Sequence, residues 1–334
     1  MRTAHRPPGR GASVDPLGRL GQHAHDEPAR RPHDRPASDR PPRVSRTRRW
    51  AERARWGEPG RLNPVALRRF MRWFAPLLRL AHRPRMMGAE HLPRDRPFLL
   101  VANHSGGIAL SEIACLMVMA QAHFPTLRVA GLAHPISFHL WPLPIAMRLV
   151  GAIPSSYEAA AGAFAQGVGV LVFPGGDHEV SRPMWQANRV DFNGRMGFLR
   201  VARAAGVPIV PMGIRGSYWT CPSLYRSTWL LPRLLVIPHL FGLKRYPLTL
   251  TGAAGVCAAL ALGVPVLGWP AALGVAWLWL ASLFPLMPAF PATIRYRIGE
   301  PIAPETLFAD DDLDAAYHLV QGRVQGLVDD SASG

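Results

Sequence analysis

Residues 246–294 run for 49 positions without one Asp, Glu, Lys, Arg or His. A single bilayer crossing needs about 20 apolar residues, so this length fits two passes or one deep re-entrant loop. Helices are expected over 248–264 and 271–284, with Pro265 to Pro270 as the turn. Lys244 and Arg245 precede the stretch and Arg295 and Arg297 follow it. A hairpin with both ends on the cytoplasmic side obeys the positive-inside tendency. The competing reading is a pair of helices buried in a soluble core. The next segment, TIRYRIGEPI, alternates as a strand and is expected to rejoin the sheet formed by the preceding residues. That requires an even number of crossings.

The formal charge of +16 resembles that of a nucleic-acid binder, but its placement argues otherwise. Residues 1–49 hold 12 Arg against five acids, and residues 50–85 hold nine against two. Residues 86–334 are close to neutral, with 17 basic and 15 acidic side chains. Lys244 is the only lysine, an arginine bias expected of a GC-rich bacterial genome. Residues 1–48, typified by RRPHDRPASDRPPR, have too few apolar side chains for a core and enough proline to interrupt a helix. A disordered Arg/Pro-rich tail is expected there. It is read either as an unselected extension or as an attraction to anionic lipid or RNA; no nucleic-acid partner is expected for the rest. Cys115, Cys221 and Cys257 have neither disulfide nor metal-ligand spacing, so no metal is expected and a reducing compartment fits. With no apolar leader core near the start, the catalytic part is expected at the cytoplasmic face of the membrane.

From Asn63 to Arg85 the pattern becomes NPVALRRFMRWFAPLLRLAHRPR. At helical periodicity Arg68, Arg69, Arg72, Arg79 and Arg83 fall within an arc of about 100°. Phe70, Met71, Trp73, Phe74, Leu77, Leu78 and Leu80 fill the opposite side. A basic face against an aromatic-rich face describes a helix in a membrane interface, over a region taken as 49–85. Pro76 is expected to kink it. The alternative is a helix packed on the protein's own core with its arginines in water.

Residues 86–305 read as an α/β domain, a mostly parallel sheet flanked by helices, with 246–294 as an insertion and 306–334 as a C-terminal helix and tail. Phe98–Ala102, Val168–Phe173 and Val207–Met212 are the expected buried strands, and Glu112–Ala122 and Gly197–Ala205 the helices between them. Four clusters follow or precede these elements. Asn103-His104-Ser105-Gly106-Gly107 follows the first strand, where an open α/β sheet presents reactive groups. Phe173-Pro174-Gly175-Gly176-Asp177-His178-Glu179 follows the second, and its glycines allow backbone amides to approach a phosphate or a developing oxyanion. Gly194-Arg195-Met196-Gly197-Phe198 places Arg195 at a helix start, where anions are favoured. Gly299-Glu300-Pro301-Ile302 closes the last strand.

In this order the clusters resemble the phospholipid/glycerol acyltransferase superfamily over about residues 65–305. That family carries N-H after a strand, F-P-[EG]-G about 70 residues later, a V-P-[IV]-[VI]-P strand and a G-[EK]-P-I close. Here they stand as Asn103-His104, Phe173 to Gly176, Val207 to Pro211 and Gly299 to Ile302. Gly175 to Glu179 and Arg195-x-Gly-Phe198 are closer to the branch that includes type 2 diacylglycerol acyltransferases. The commonest pattern has Asp five residues after the His, where this chain has Ala109, and the nearest carboxylate is Glu112. Asp177 and Glu179 are the other candidates to orient His104. The usual F-P-E-G-T-R also lacks its Glu and Arg here.

The resemblance implies a glycerol-acyltransferase-like fold and a membrane-associated O-acyltransferase. Its substrates would be acyl-CoA or acyl-carrier protein and the hydroxyl of a glycerolipid such as a lysophospholipid or diacylglycerol. No cofactor beyond that co-substrate is implied, and membrane lipids are the expected partners. His104 would be the general base with Glu112 as its orienter. Substrate contacts are expected from Asn103, Ser105, Gly106, Gly107, Phe173, Pro174, Gly175, Gly176, Glu179 and Arg195, the glycines through their amides and Arg195 through phosphate. Ser105 as nucleophile has poor geometry, being adjacent to the base it would need. The alternatives are a wax-ester-forming or thioesterase-like variant, and a non-catalytic lipid-binding protein of the same fold.

Overall fold

The strand segments are continuous apolar runs, which suits a parallel sheet covered on both faces. In the computed structural model the described residues are 58–104, 110–139, 141–235 and 245–332. The chain divides into two units, Met1–Val44 and Ser45–Gly334, and all described residues fall in the second. The Arg/Pro-rich segment 1–48 lies outside them, as do Ser105, Gly106, Gly107 and Lys244.

Nine strands are described: β1 (Arg85–Met87), β2 (Leu99–Ala102), β3 (Val129–Ala133), β4 (Ile153–Pro154), β5 (Gly169–Val172), β6 (Ile209–Arg215), β7 (Ser223–Ser227), β8 (Tyr246–Thr249) and β9 (Arg295–Ile298). Seven form one sheet in the order β1-β9-β6-β2-β5-β3-β4, and β7 and β8 pair as a separate antiparallel ribbon. Within the large sheet only β6 and β9 pair antiparallel. The segment after the apolar stretch thus rejoins the sheet, with Met212 opposite Ile298 and Arg215 opposite Arg295.

Helices of eight residues or more are α1 (Pro64–Trp73), α2 (Ala75–His82), α3 (Leu110–His123), α4 (Tyr157–Ala165), α5 (Gly197–Ala205), α6 (Leu250–Leu267), α7 (Trp269–Ala281) and α8 (Leu313–Asp330). Alternation along β2 sends Leu99 and Val101 to one face and Leu100 and Ala102 to the other. The first face packs with Ala160 and Ala163 of α4, Phe198 and Leu199 of α5, and Tyr317, Val320, Val324 and Val328 of α8. The C-terminal helix is therefore part of the domain's core. The second face packs with Ala75 of α2, Cys115 and Val118 of α3, and Tyr296 and Ile298 of β9.

The basic segment forms two helices that break at Phe74, with Pro76 in the first turn of α2. A proline costs nothing there, because the first-turn N–H groups have no helical partner. Phe70, Met71 and Leu78 pack against the second core, whereas Trp73, Phe74, Leu77 and Leu80 are exposed beside Arg72 and Arg79. One side of the element thus packs on the core, as the alternative reading expects, while the other stays exposed.

The uncharged stretch forms α6 and α7, joined at Gly268, with Pro265 inside α6 and Pro270 in the first turn of α7. The turn is therefore one residue, not the expected Pro265 to Pro270. Of the 18 residues of α6 only Gly252 is buried, and in α7 only Ala272, Ala276 and Ala281 are. Leu262 is 74% exposed and Val266 79%. Among the described residues the pair is therefore largely exposed and not a buried core element: it packs on itself, and Trp277 of α7 reaches the preceding chain, its Nε1 donating to the Leu234 carbonyl at 3.0 Å.

Candidate active site

Strands β6, β2 and β5 are adjacent and parallel, so the segments that leave their C-terminal ends lie together. His104 leaves β2, Phe173 to Gly176 leave β5, and Gly216 to Thr220 leave β6. Outside the carboxyl ends of neighbouring strands is where α/β sheets place ligands.

The His104 Nδ1 lies 3.1 Å from Glu112 Oε1 on the first turn of α3. The Glu112 side chain is wholly buried and that of His104 is 17% exposed. A carboxylate at Nδ1 selects the tautomer with hydrogen on Nδ1 and leaves the Nε2 lone pair open to accept a proton. The imidazole is stacked on Phe173, with ring centroids 4.5 Å apart. Of the three carboxylates considered as orienters, Glu112 is the one at the ring.

Glu179 acts on the backbone instead. Its Oε2 accepts the His104 N–H at 2.7 Å, and its Oε1 accepts the Asp191 N–H at 3.0 Å. Arg182 pairs with the same Oε1 at 3.2 Å and donates to the His104 carbonyl at 2.7 Å. Arg182 was missed in the sequence, although its position three residues after Glu179 suits a pair across one turn. Burial raises the Glu179 pKa to about 7, even against Arg182 and the two N–H donors. Expected as a substrate contact, Glu179 lies beneath the site with no exposed surface.

Gly175 also serves this plate. A Cβ there would collide with Glu179 Cγ, so glycine lets the turn close over the carboxylate. The Gly176 amide, expected to face an oxyanion, donates to the Phe173 carbonyl at 3.2 Å. Asn103 is buried, and its side chain spans to β6, donating to Ile214 O at 2.8 Å and accepting from Ile214 N at 2.7 Å. It extends the β2–β6 ladder by one rung and is not placed towards substrate.

Arg195 donates to the carbonyls of Pro174 and Gly175 at 3.2 and 3.0 Å and to Asp177 Oδ1 at 2.7 Å. Arg245, immediately before β8, reaches Asp177 Oδ2 at 2.6 Å. Burial pushes Asp177 upward, but the two guanidinium groups outweigh it and hold it below the usual carboxylate value. The cluster keeps one net positive charge. His178 is saturated differently, with Nε2 on Asp191 at 2.9 Å and Nδ1 facing Arg226 of β7 at 3.2 Å.

A cavity of about 240 Å³ opens beside the site. Leu99, Leu132, Val172, Phe173, Phe198 and Val201 form its apolar walls, with Ser156, Tyr157 and Arg195 adding polar groups. No group of His, Cys, Asp or Glu able to hold a metal ion is found among the described residues.

Residues 83–215 match the family model described as Acyltransferase. Uncharacterized protein Rv0502 of Mycobacterium tuberculosis is 28% identical over 180 residues, covering 54% of this chain and 46% of that one. Uncharacterized protein ML2427 of Mycobacterium leprae is 28% identical over 194 residues, covering 58% and 51%. The chain thus spans about half the length of the curated relatives it matches. The crystal structure of the 1-acyl-sn-glycerophosphate (LPA) acyltransferase PlsC from Thermotoga maritima is 17% identical with a TM-score of 0.44, covering 78% of this chain and 79% of that one. The matched residues 83–215 span β2, β5 and β6, whose ends carry the His104 and Phe173 clusters, and in that part the chain is similar to the acyltransferase family.

Proposed function

We propose that this chain is a membrane-associated O-acyltransferase that moves a fatty acyl group from a thioester, acyl-CoA or acyl-carrier protein, to a glycerolipid hydroxyl such as that of a lysophospholipid or diacylglycerol. The observation that carries the reading is the His104–Glu112 pair at the joined ends of β2, β5 and β6, beside an apolar cavity. His104 Nε2 takes the proton of the acceptor hydroxyl while its oxygen attacks the thioester carbonyl. The tetrahedral oxyanion collapses, the C–S bond breaks, and the imidazolium returns its proton to the departing thiolate. No covalent acyl-enzyme is needed, because both substrates meet at one base.

The membrane side of the reading rests on exposure. An 18-residue helix rises about 27 Å, close to the roughly 30 Å hydrocarbon thickness, and α6 offers that length with almost no burial. Both ends of the α6–α7 pair return to one body, through β8 and β9, so the hairpin enters and leaves on the same face. That face is the cytoplasmic one by the flanking Arg245, Arg295 and Arg297. The exposed Trp73, Phe74, Leu77 and Leu80 beside Arg72 and Arg79 suit an interface with anionic headgroups.

The test is transfer by purified protein from acyl-CoA to a panel of hydroxyl lipids, read by lipid mass spectrometry. Acylated product is expected with the wild type. His104→Ala is expected to lower turnover roughly 100- to 10,000-fold, the usual worth of a general base. Near-full activity in that variant would remove the assignment.

A further inference from the structure

We infer that Ser217 is a positioning residue for the His104–Glu112 pair, fixing the carboxylate's rotation and limiting its hold on the imidazolium. This rests on His104 being the base, as proposed above. Ser217 lies just beyond residues 83–215, so its role is read from the geometry of this chain.

Glu112 turns one oxygen towards His104 and the other towards Ser217. Oε1 faces His104 Nδ1 at 3.1 Å, and Oε2 accepts from Ser217 Oγ at 2.8 Å. Both Glu112 and Ser217 are fully buried. A buried carboxylate whose second oxygen lacked a donor would carry a large desolvation cost. The Ser217 donor satisfies that oxygen and stops rotation about the terminal torsion, which is intrinsically broad.

The serine's turn is itself held in place, as is the carbonyl of Glu112. Gly216 holds φ +94°, and a Cβ there would collide with the Thr293 carbonyl oxygen, so the turn sits directly on the chain leading into β9. Thr220 Oγ1 donates to the Ser217 carbonyl at 2.8 Å and lies 3.1 Å from Ser111 Oγ. Tyr296 OH of β9 donates to the Glu112 carbonyl at 2.6 Å. Glu112 is thus held through its carboxylate by the turn after β6 and through its main-chain carbonyl by β9.

A hydrogen bond to a carboxylate draws charge from it and lowers its attraction for a neighbouring cation. Removing the Ser217 hydroxyl concentrates charge on the oxygen facing His104 and stabilises the imidazolium, so the base is protonated up to a higher pH. Glu179 and Arg182 face His104 through its backbone, and Cys115 and Tyr296 lie beside Glu112. Burial pushes Cys115 up to about 12 and raises Tyr296 well above its usual value, so both stay neutral in either variant.

The experiment compares Ser217→Ala, Ser217→Thr and wild type, full-length in detergent micelles, by pH-dependent kinetics and by NMR titration of the His104 ring assigned with His104→Gln. For Ser217→Ala, kcat is expected to fall roughly tenfold, about the worth of one hydrogen bond, with KM unchanged. The acid limb of kcat/KM and the ring titration are expected to move upward together by about half a unit or more. Ser217→Thr, which keeps the hydroxyl, is expected to restore the limb. A lower melting temperature with neither titration moved would overturn the inference, as would wild-type behaviour of Ser217→Ala. Failure of the base assignment reads differently: His104→Gln would stay active whatever Ser217 does to the ring titration.

Discussion

At the scale of single residues, Glu179 is a carboxyl that the fold keeps dry while asking it to hold three donors. Its folded pKa of about 7 lies above the usual carboxyl value of 4.5, so between these values the folded chain binds the proton that the unfolded chain has released. Stability from this group is therefore full below about pH 4.5 and falls as pH rises through about 7. Asp177 and Asp191, both lowered, act oppositely and at lower pH; His82, lowered by burial, also acts oppositely but within the window, so the Glu179 contribution is read as the difference between wild type and Glu179→Gln. The melting temperature of the wild type is expected to drop from pH 5 to pH 8. Glu179→Gln is expected to flatten that slope while melting lower throughout, because its amide turns N–H donors towards another N–H and leaves Arg182 unpaired, losses of about 3 kcal/mol or more. An unflattened slope in the variant would assign the titration elsewhere. These residues also mark how far the sequence could be read. His104 and the Phe173 to Gly176 turn were visible because each follows an apolar strand directly. The roles of Glu179, Arg182 and Ser217 were not, because their partners lie 75, 78 and 105 residues away and only the parallel pairing of β6, β2 and β5 unites them. Gly175 shows the same limit: its need for glycine was legible, but the group that approaches is the chain's own glutamate and not a ligand.

Among the elements, Gly197–Ala205 was read with its bounds intact, and the three central strands to within a few residues, because each has a clean period or a continuous apolar run. The antiparallel sense of β9 had no local signature, since pairing direction depends on where the intervening 49 residues return the chain. The join between α6 and α7 was misplaced for a similar reason: proline is tolerated within the first turn of α7, and in α6 its cost falls on a single carbonyl near the end. What links these elements to the site is the turn after β6, pressed against Thr293 at Gly216. Gly216→Ala tests that link. The φ of +94° is strained for any residue with a Cβ, by about 1–3 kcal/mol, and the contact partner is backbone that cannot swing aside. The variant is expected to melt several degrees lower and to lose more activity than Ser217→Ala, since the turn carrying Ser217 must shift off Glu112. An unchanged melting temperature and wild-type turnover would show that β9 and the turn are not in register as described.

On the scale of the whole molecule, the basic helices and the apolar hairpin share a root. The amides of Ala292 and Ile294, just after the hairpin, donate to the carbonyls of Ala81 and His82 at the end of α2, at 3.2 and 2.9 Å. Two kinds of membrane attachment would therefore act on one body, and they differ in their response to salt. Attraction of arginines to anionic headgroups is screened at high ionic strength, where the Debye length falls to about 3 Å at 1 M, whereas burial of α6 and α7 in hydrocarbon is not. The wild type is expected to stay with vesicles of mixed anionic and neutral lipid through a 1 M salt wash, measured by flotation. Ala258→Arg with Val275→Arg places one charge at the middle of α6 and one at the middle of α7, both at exposed positions, at roughly 2.5–3.5 kcal/mol each. That variant is expected to bind only through its surface arginines and to be released by the same wash. Adding Arg72→Gln and Arg79→Gln in that background is expected to weaken low-salt binding about 30-fold, from about 1 kcal/mol for each basic residue at an anionic surface. If the hairpin variant resisted salt as the wild type does, the hairpin would not be what holds the chain. If the two glutamines changed nothing at low salt, the basic face would be a solvated surface and not a lipid contact.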